Sequence, residues 1–260
     1  MRPIVDDRRY GSHQFGSRDG TEAVHEFDRQ GGVSTGTTVV GLAGSDGVVL
    51  AADARASLGG RFVTNRSMRK VEPIGETTAV AFSGGVSGAQ SLVDGLRAER
   101  RLYELDHDRP ASTRALANSA AGRIRTGRLG PLWILVGGFD DGPELYEVGA
   151  GGGLMESPYA AAGSGMQLAY GTLERSFEPG QFVESLWPIA ADAVAAAAER
   201  DTASGDGTTI ATITADGTTL EAFDGLGTEA LAGVEETDGN RGTAGEQSPV
   251  DPDALDEGGV

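Results

Sequence analysis

Apolar and polar positions in this 260-residue chain change rhythm at Thr37. Residues 1–36 mix both charges without a sustained period, which predicts a flexible leader. Beyond them, "TTVVGLAGSDGVVLAADA" reads as two strands joined by the turn "GSDG". "RFVTNRSMRKVEPI" and "TTAVAFSGG" read as two further strands, split by a turn at Pro73–Glu76. "SGAQSLVDGLRAERRLYELD" then switches to helical spacing, with Leu92, Leu96, Leu102 and Tyr103 on its apolar face, and "STRALANSAAGRIRTG" continues as a helix ending at Gly127. "PLWILVGGFDDGPELYEVGAGGGLMES" returns to a strand, a turn and a strand. Two more helices follow, "MQLAYGTLERSF" and a second starting near Phe182 with Pro188 in its first turns. A hairpin through Asp216–Gly217 closes the pattern.

Strands and helices thus come in segregated runs, which predicts a layered α+β domain rather than a βαβ repeat. The natural arrangement is a four-layer αββα sandwich, with two packed antiparallel sheets between helix pairs. The predicted organisation is a leader over 1–36, one domain over 37–232 and an acidic, Gly-rich, disordered tail over 233–260.

Composition narrows the function. The formal net charge of -18 argues against nucleic acid as a partner, since phosphates call for a basic footprint. No apolar run is long enough to cross a bilayer, and "MRPIVDDRR" lacks the apolar middle of a signal peptide, so no membrane role and a cytoplasmic location are expected. Cysteine is absent, which removes disulfides, thiol chemistry and Cys-ligated zinc. The basic residues are almost all arginine, and Lys70 is the only lysine. An acid-rich, lysine-poor surface suits a cytoplasm of high salt, where self-repulsion is screened; an ordinary acidic protein is the alternative.

The histidines His13, His25 and His107 offer neither a triad partner nor a metal cluster. The glycine-rich pieces do not fit a phosphate loop, so neither metal nor cofactor is expected. One nucleophile needs none of these. A threonine at a chain's own N-terminus carries a free α-amine of pKa near 8 that can take its hydroxyl proton. Cutting after the small Gly36 would make Thr37 such a residue. A nearby ammonium lowers the pKa of hydroxyl and amine alike, which gives Lys70 a role beyond that of a leftover surface lysine.

"GTTVVGL…GVVLAADARASLGGRFV…RKV" resembles the start of the catalytic β-subunit of the archaeal 20S proteasome, a threonine peptidase of the N-terminal-nucleophile hydrolase type. "AFSGGVSGAQSLVDGLRAERRLYE", "WILVGGFDDGPELYEVGAGGG", "AAGSGMQLAYGTLE" and "ERDTASGDG" match in order, so the resemblance covers about residues 36 to 225. It implies that Thr37 is the nucleophile released by self-cleavage after Gly36, and that Asp53 pairs with the catalytic Lys70. It implies further that the Gly84 N–H stabilises the oxyanion and that Ser164, Asp201 and Ser204 surround the threonine amine. Ala56, Met68, Phe82 and Val86 match the pocket for the residue before the cut; they are apolar and favour cleavage after hydrophobic side chains, although core packing explains them equally well.

The same resemblance implies two seven-membered β-rings flanked by rings of α-subunits, an unfolding ATPase acting through the α-ring, and unfolded polypeptides as substrate. The departures are conservative: valine for a third threonine in "TTVV", one extra residue in "ASLGGRF", a longer leader and the added tail. Two other readings stay open. One is the bacterial two-component threonine protease, which lacks "RDTASG"; the other is a non-catalytic ring subunit that keeps its leader.

Overall fold

The computed structural model describes residues 34–231, so the predicted tail and all but the last three leader residues lie outside the described residues. Two antiparallel sheets pack face to face. In the first, β1 (Ser34–Thr35), β7 (Thr78–Gly85), β8 (Leu132–Phe139), β9 (Pro143–Val148) and β10 (Leu154–Glu156) lie in that order, and β6 (Val71–Pro73) also pairs with β7. In the second the order is β11 (Tyr159–Gly163), β2 (Thr38–Ala43), β3 (Gly47–Asp53), β12 (Thr208–Thr214) and β13 (Gly217–Phe223). β4 (Ala56–Leu58) and β5 (Phe62–Asn65) form a separate hairpin. Helices α1 (Val86–His107) and α2 (Thr113–Arg125) cover the first sheet. α3 (Met166–Ser176) and α4 (Val183–Ala198) cover the second, with α5 (Gly227–Leu231) against α4. This is the four-layer αββα sandwich of the sequence reading.

The two-residue period of the strands builds it. Val39, Val48, Leu50 and Ala52 point between the sheets, where they meet Leu135 and Leu145. Their neighbours Val40, Leu42, Val49 and Ala51 point outward onto α3 and α4, meeting Leu173, Leu186 and Val194. A third apolar layer joins Leu92, Leu96 and Leu116 of the helices to Val80, Ile134 and Val136 of the first sheet. Strands buried on both faces need continuous apolar runs, which is why "TTVVGL" and "GVVLAA" do not alternate with polar residues. Each fully buried aliphatic side chain contributes roughly 1.5–3 kcal/mol.

Several expectations are corrected. "RFVTNRSMRKVEPI" is not one strand: it breaks between β5 and β6, where Asn65 Oδ1 accepts the Ser67 N–H at 2.7 Å in a tight turn. Leu102 is not on the buried face of α1 but 63% exposed, because the stripe through Leu92 and Leu96 continues to Tyr103 instead. β10, β11, α5 and the short β1 go beyond the predicted elements; β1 falls within the predicted leader. Pro188 lies in the sixth position of α4, and the helix runs on through it into its alanine-rich half. Among the described residues no helix is long and apolar enough to cross a membrane.

Candidate active site

The site forms where the chain passes from one sheet to the other. β1 pairs with β7, Thr35 opposite Gly84 and Ser34 opposite Gly85. Two residues later β2 is already part of the second sheet, so the Gly36–Thr37 link is the crossing. β6 occupies the same edge of β7 further along, and its ladder ends where the Phe82 N–H donates to the Lys70 carbonyl at 3.0 Å. The broken strand therefore delivers Lys70 beside Thr37.

Thr37, Asp53 and Lys70 are all buried. Lys70 Nζ contacts Thr37 Oγ1 directly and lies 2.8 Å from Asp53 Oδ1. The Thr37 hydroxyl also reaches Asp53 Oδ1, at 2.9 Å. Asp53 is saturated: Oδ1 accepts the Thr38 N–H at 2.9 Å, and Oδ2 accepts those of Gly205 at 2.9 Å and Arg55 at 3.1 Å. Burial pushes the Lys70 ammonium below the usual lysine value, while the charge and hydrogen bond of Asp53 pull the other way. A lysine so poised has a neutral form available to take the proton of the hydroxyl it touches.

A second network meets Thr37 from the other side. Ser164 Oγ accepts the Thr37 N–H at 3.1 Å and donates to Asp201 Oδ2 at 2.6 Å. Ser204 Oγ donates to the same oxygen at 2.6 Å and lies 2.8 Å from Thr38 Oγ1. In the uncut chain the Thr37 nitrogen is a peptide N–H; as a free amine it would face the same Ser164.

Glycine is required twice here. Gly84 has φ 130°, and a Cβ there would stand 2.3 Å from the Pro131 carbonyl oxygen. A Cβ on Gly36 would stand 2.1 Å from that of Ala203. Gly84 is the register partner of Thr35, one residue before the Gly36–Thr37 link, so its backbone runs alongside the peptide that would be cut. Ala56, Met68, Phe82 and Val86 line one cavity of about 700 Å³, together with charged residues that the sequence reading did not include.

That reading also missed a brace. Arg55 Nε and Nη2 donate to Asp206 at 2.7 and 3.3 Å, and Nη1 donates to the Thr202 carbonyl at 3.0 Å. The guanidinium holds the Asp206 carboxyl below its ordinary value. The brace fastens the loop of Asp201, Ser204 and Gly205 to the end of β3 that carries Asp53. Its only trace in the sequence is an arginine two residues after Asp53. Thr38, which bonds both Asp53 and Ser204, was missed because its neighbour took the nucleophile role.

Residues 33–213 match a family model described as "Proteasome subunit". "Proteasome subunit beta" of Halorhabdus utahensis is 45% identical over 85% of this chain and 97% of its own length. "Proteasome subunit beta 2" of Haloarcula marismortui is 46% identical over 76% of this chain and 86% of its own. "Proteasome subunit beta" of Natrialba magadii is 47% identical over 70% of this chain and 76% of its own.

Proposed function

This chain belongs to the proteasome subunit family, and we propose that within it the chain is a catalytic β-subunit, a threonine protease that cuts itself after Gly36 and then hydrolyses peptide bonds of unfolded polypeptides. One observation carries the reading: Lys70 Nζ touches Thr37 Oγ1 in a buried site anchored by Asp53, at a link where the chain changes sheets.

In the first reaction Thr37 Oγ1 gives its proton to Lys70 and attacks the Gly36 carbonyl carbon. The carbon–nitrogen bond breaks, the nitrogen takes a proton and becomes the free α-amine, and Gly36 is left as an ester on the threonine. Water hydrolyses the ester and releases residues 1–36. In the second reaction the same hydroxyl attacks a substrate carbonyl, with Lys70 and the new amine handling protons and the Gly84 N–H facing the developing oxyanion. Ser164, Asp201 and Ser204 orient the amine. Before the cut no amine exists, so the precursor is inactive on other chains.

The organisation goes with it: residues 1–36 as propeptide, 37–232 as the catalytic domain and 233–260 as an acidic tail, in a cytoplasmic particle. Family membership supports assembly with other subunits, here other β-subunits in a seven-membered ring and α-subunits through which an ATPase feeds substrate.

The test is the intact mass and N-terminal sequence of the protein co-assembled with α-subunits. A chain beginning Thr-Thr-Val-Val supports the reading. A chain still starting "MRPIVDDRRY" after full assembly overturns it in favour of a structural subunit that retains its leader.

A further inference from the structure

Two adjacent threonines serve two different networks. Where β2 begins, successive side chains point to opposite faces, so Thr37 turns to Lys70 and Asp53 while Thr38 turns to Ser204. Both are wholly buried. Thr38 is fastened at three points. Its backbone pairs with Gly163 of β11, the residue before Ser164. Its N–H donates to Asp53 Oδ1 at 2.9 Å, and its Oγ1 lies 2.8 Å from Ser204 Oγ.

The direction of that last bond follows from counting protons. A serine hydroxyl has one to give, and Ser204 donates it to Asp201 Oδ2 at 2.6 Å. Its oxygen therefore accepts from the Thr38 hydroxyl. Ser164 donates its own proton to the same carboxylate oxygen at 2.6 Å and accepts from the Thr37 nitrogen at 3.1 Å. Two donor chains thus converge on Asp201, one starting at the Thr37 nitrogen and one at the Thr38 hydroxyl. In such a chain each bond polarises the next.

The fold keeps a niche for this hydroxyl. A Cβ on Gly165 would stand 2.1 Å from Thr38 Oγ1, 2.8 Å from the Ala197 Cβ and 3.3 Å from Asp201 Oδ2. Gly165 has φ -89°, which other residues adopt, so its backbone does not call for glycine. The room taken by Thr38 does.

Before the proposed cut, residue 37 is held from both sides. The peptide to Gly36 and the pairing of Thr35 with Gly84 tie it on one side, and Thr38 ties it on the other. After the cut it is a chain end, and chain ends fray unless tied down. Thr38 is then its one covalent link to the fold.

We propose that Thr38 is a positioning residue of the mature site. Its hydroxyl pins the new N-terminus through Ser204, so that the Thr37 amine stays on Ser164 once the tether to Gly36 is gone. The uncut chain, still tethered, does not depend on this pin. The proposal rests on the protease reading above and adds a residue to it.

The test uses the assembled particle with its α-subunits, a fluorogenic peptide with leucine before the cut, and mass spectrometry of leader loss. In Thr38→Val, kcat is expected to fall roughly 3- to 10-fold, the effect of one lost hydrogen bond, while KM and the rate of leader loss stay within about twofold of the parent. Thr38→Ser, which keeps the hydroxyl, should recover most of kcat. Because Thr38 acts through Ser204, adding Thr38→Val to Ser204→Ala should cost little more than Ser204→Ala alone. Equal losses in leader release and turnover overturn the proposal, as do an absence of rescue by serine and full additivity with Ser204→Ala. A parent chain that neither sheds its leader nor cleaves the peptide is a different result: it removes the protease reading, and this inference with it.

Discussion

Lys70 Nζ and Asp53 Oδ1 lie 2.8 Å apart with both side chains wholly shut off from water. The two ends of this pair are not equally replaceable. Without Lys70, Asp53 keeps the N–H groups of Thr38, Gly205 and Arg55 and the hydroxyl of Thr37. Without Asp53, a buried ammonium loses its counter-charge. Asp53→Asn is expected to cost about 3–5 kcal/mol, and Lys70→Met to stay within about 1–2 kcal/mol of the parent. Denaturant midpoints of the two variants measure the difference; equal losses would contradict the asymmetry.

The proposed self-cleavage would isolate the lysine as a base, because no free amine exists until the bond breaks. Burial lowers Lys70, so the folded chain gives up this proton before an unfolded lysine does at 10.5. The rate of leader loss should rise with pH and level off below that value. Stability moves the same way, since between the two values the unfolded chain holds more protons, and raising pH through that window removes a buried charge. Lys70→Arg, which cannot deprotonate, should slow self-cleavage by roughly 10²- to 10⁴-fold at every pH, read by mass spectrometry over time.

Gly36→Ala places a methyl 2.1 Å from the Ala203 Cβ, so one of them must move. A shift of about 1 Å in the peptide to be cut should slow its release by around 100-fold. Ala203→Gly in the same chain removes the obstacle and should restore much of the rate. No rescue would mean that Gly36 is required for its backbone alone.

Arg55→Met should leave peptide affinity nearly intact and lower turnover, because the brace touches the loop of Asp201 and Ser204, not the cavity. The thermal midpoint should fall modestly, and Arg55→Lys should recover little, since a point charge cannot span Asp206 and the Thr202 carbonyl together. A KM effect larger than the kcat effect would place the role elsewhere.

The legible part of the site was the part with a simple chemical signature. A lone lysine, a Gly-Thr-Thr and an acid at a strand end are visible in the chain itself, and the segregated runs of strand and helix gave the four layers. The illegible part depends on who meets whom across long separations. Arg55 and Asp206 are 151 positions apart, and neither stands out by type. The break that delivers Lys70 follows from one asparagine side chain accepting a backbone N–H, a turn hidden inside an otherwise strand-like run. Nothing in the sequence singles out Arg69 and Glu72, and only the helix carrying Arg97 makes them the wall of a cavity.

If the chain matures by the proposed self-cleavage, the short ladder between β1 and β7 has a consequence for the life of the subunit beforehand. An open strand edge is sticky, ready to recruit any extended chain. Here residues 34 and 35 cover Gly84 and Gly85, and the proposed cut would remove that cover. On the proposed function the young subunit would travel with its adhesive edge under a cap, and the stroke that arms the nucleophile would also uncap it, so that the edge would turn from a hazard into a guide rail only once there is a blade beside it.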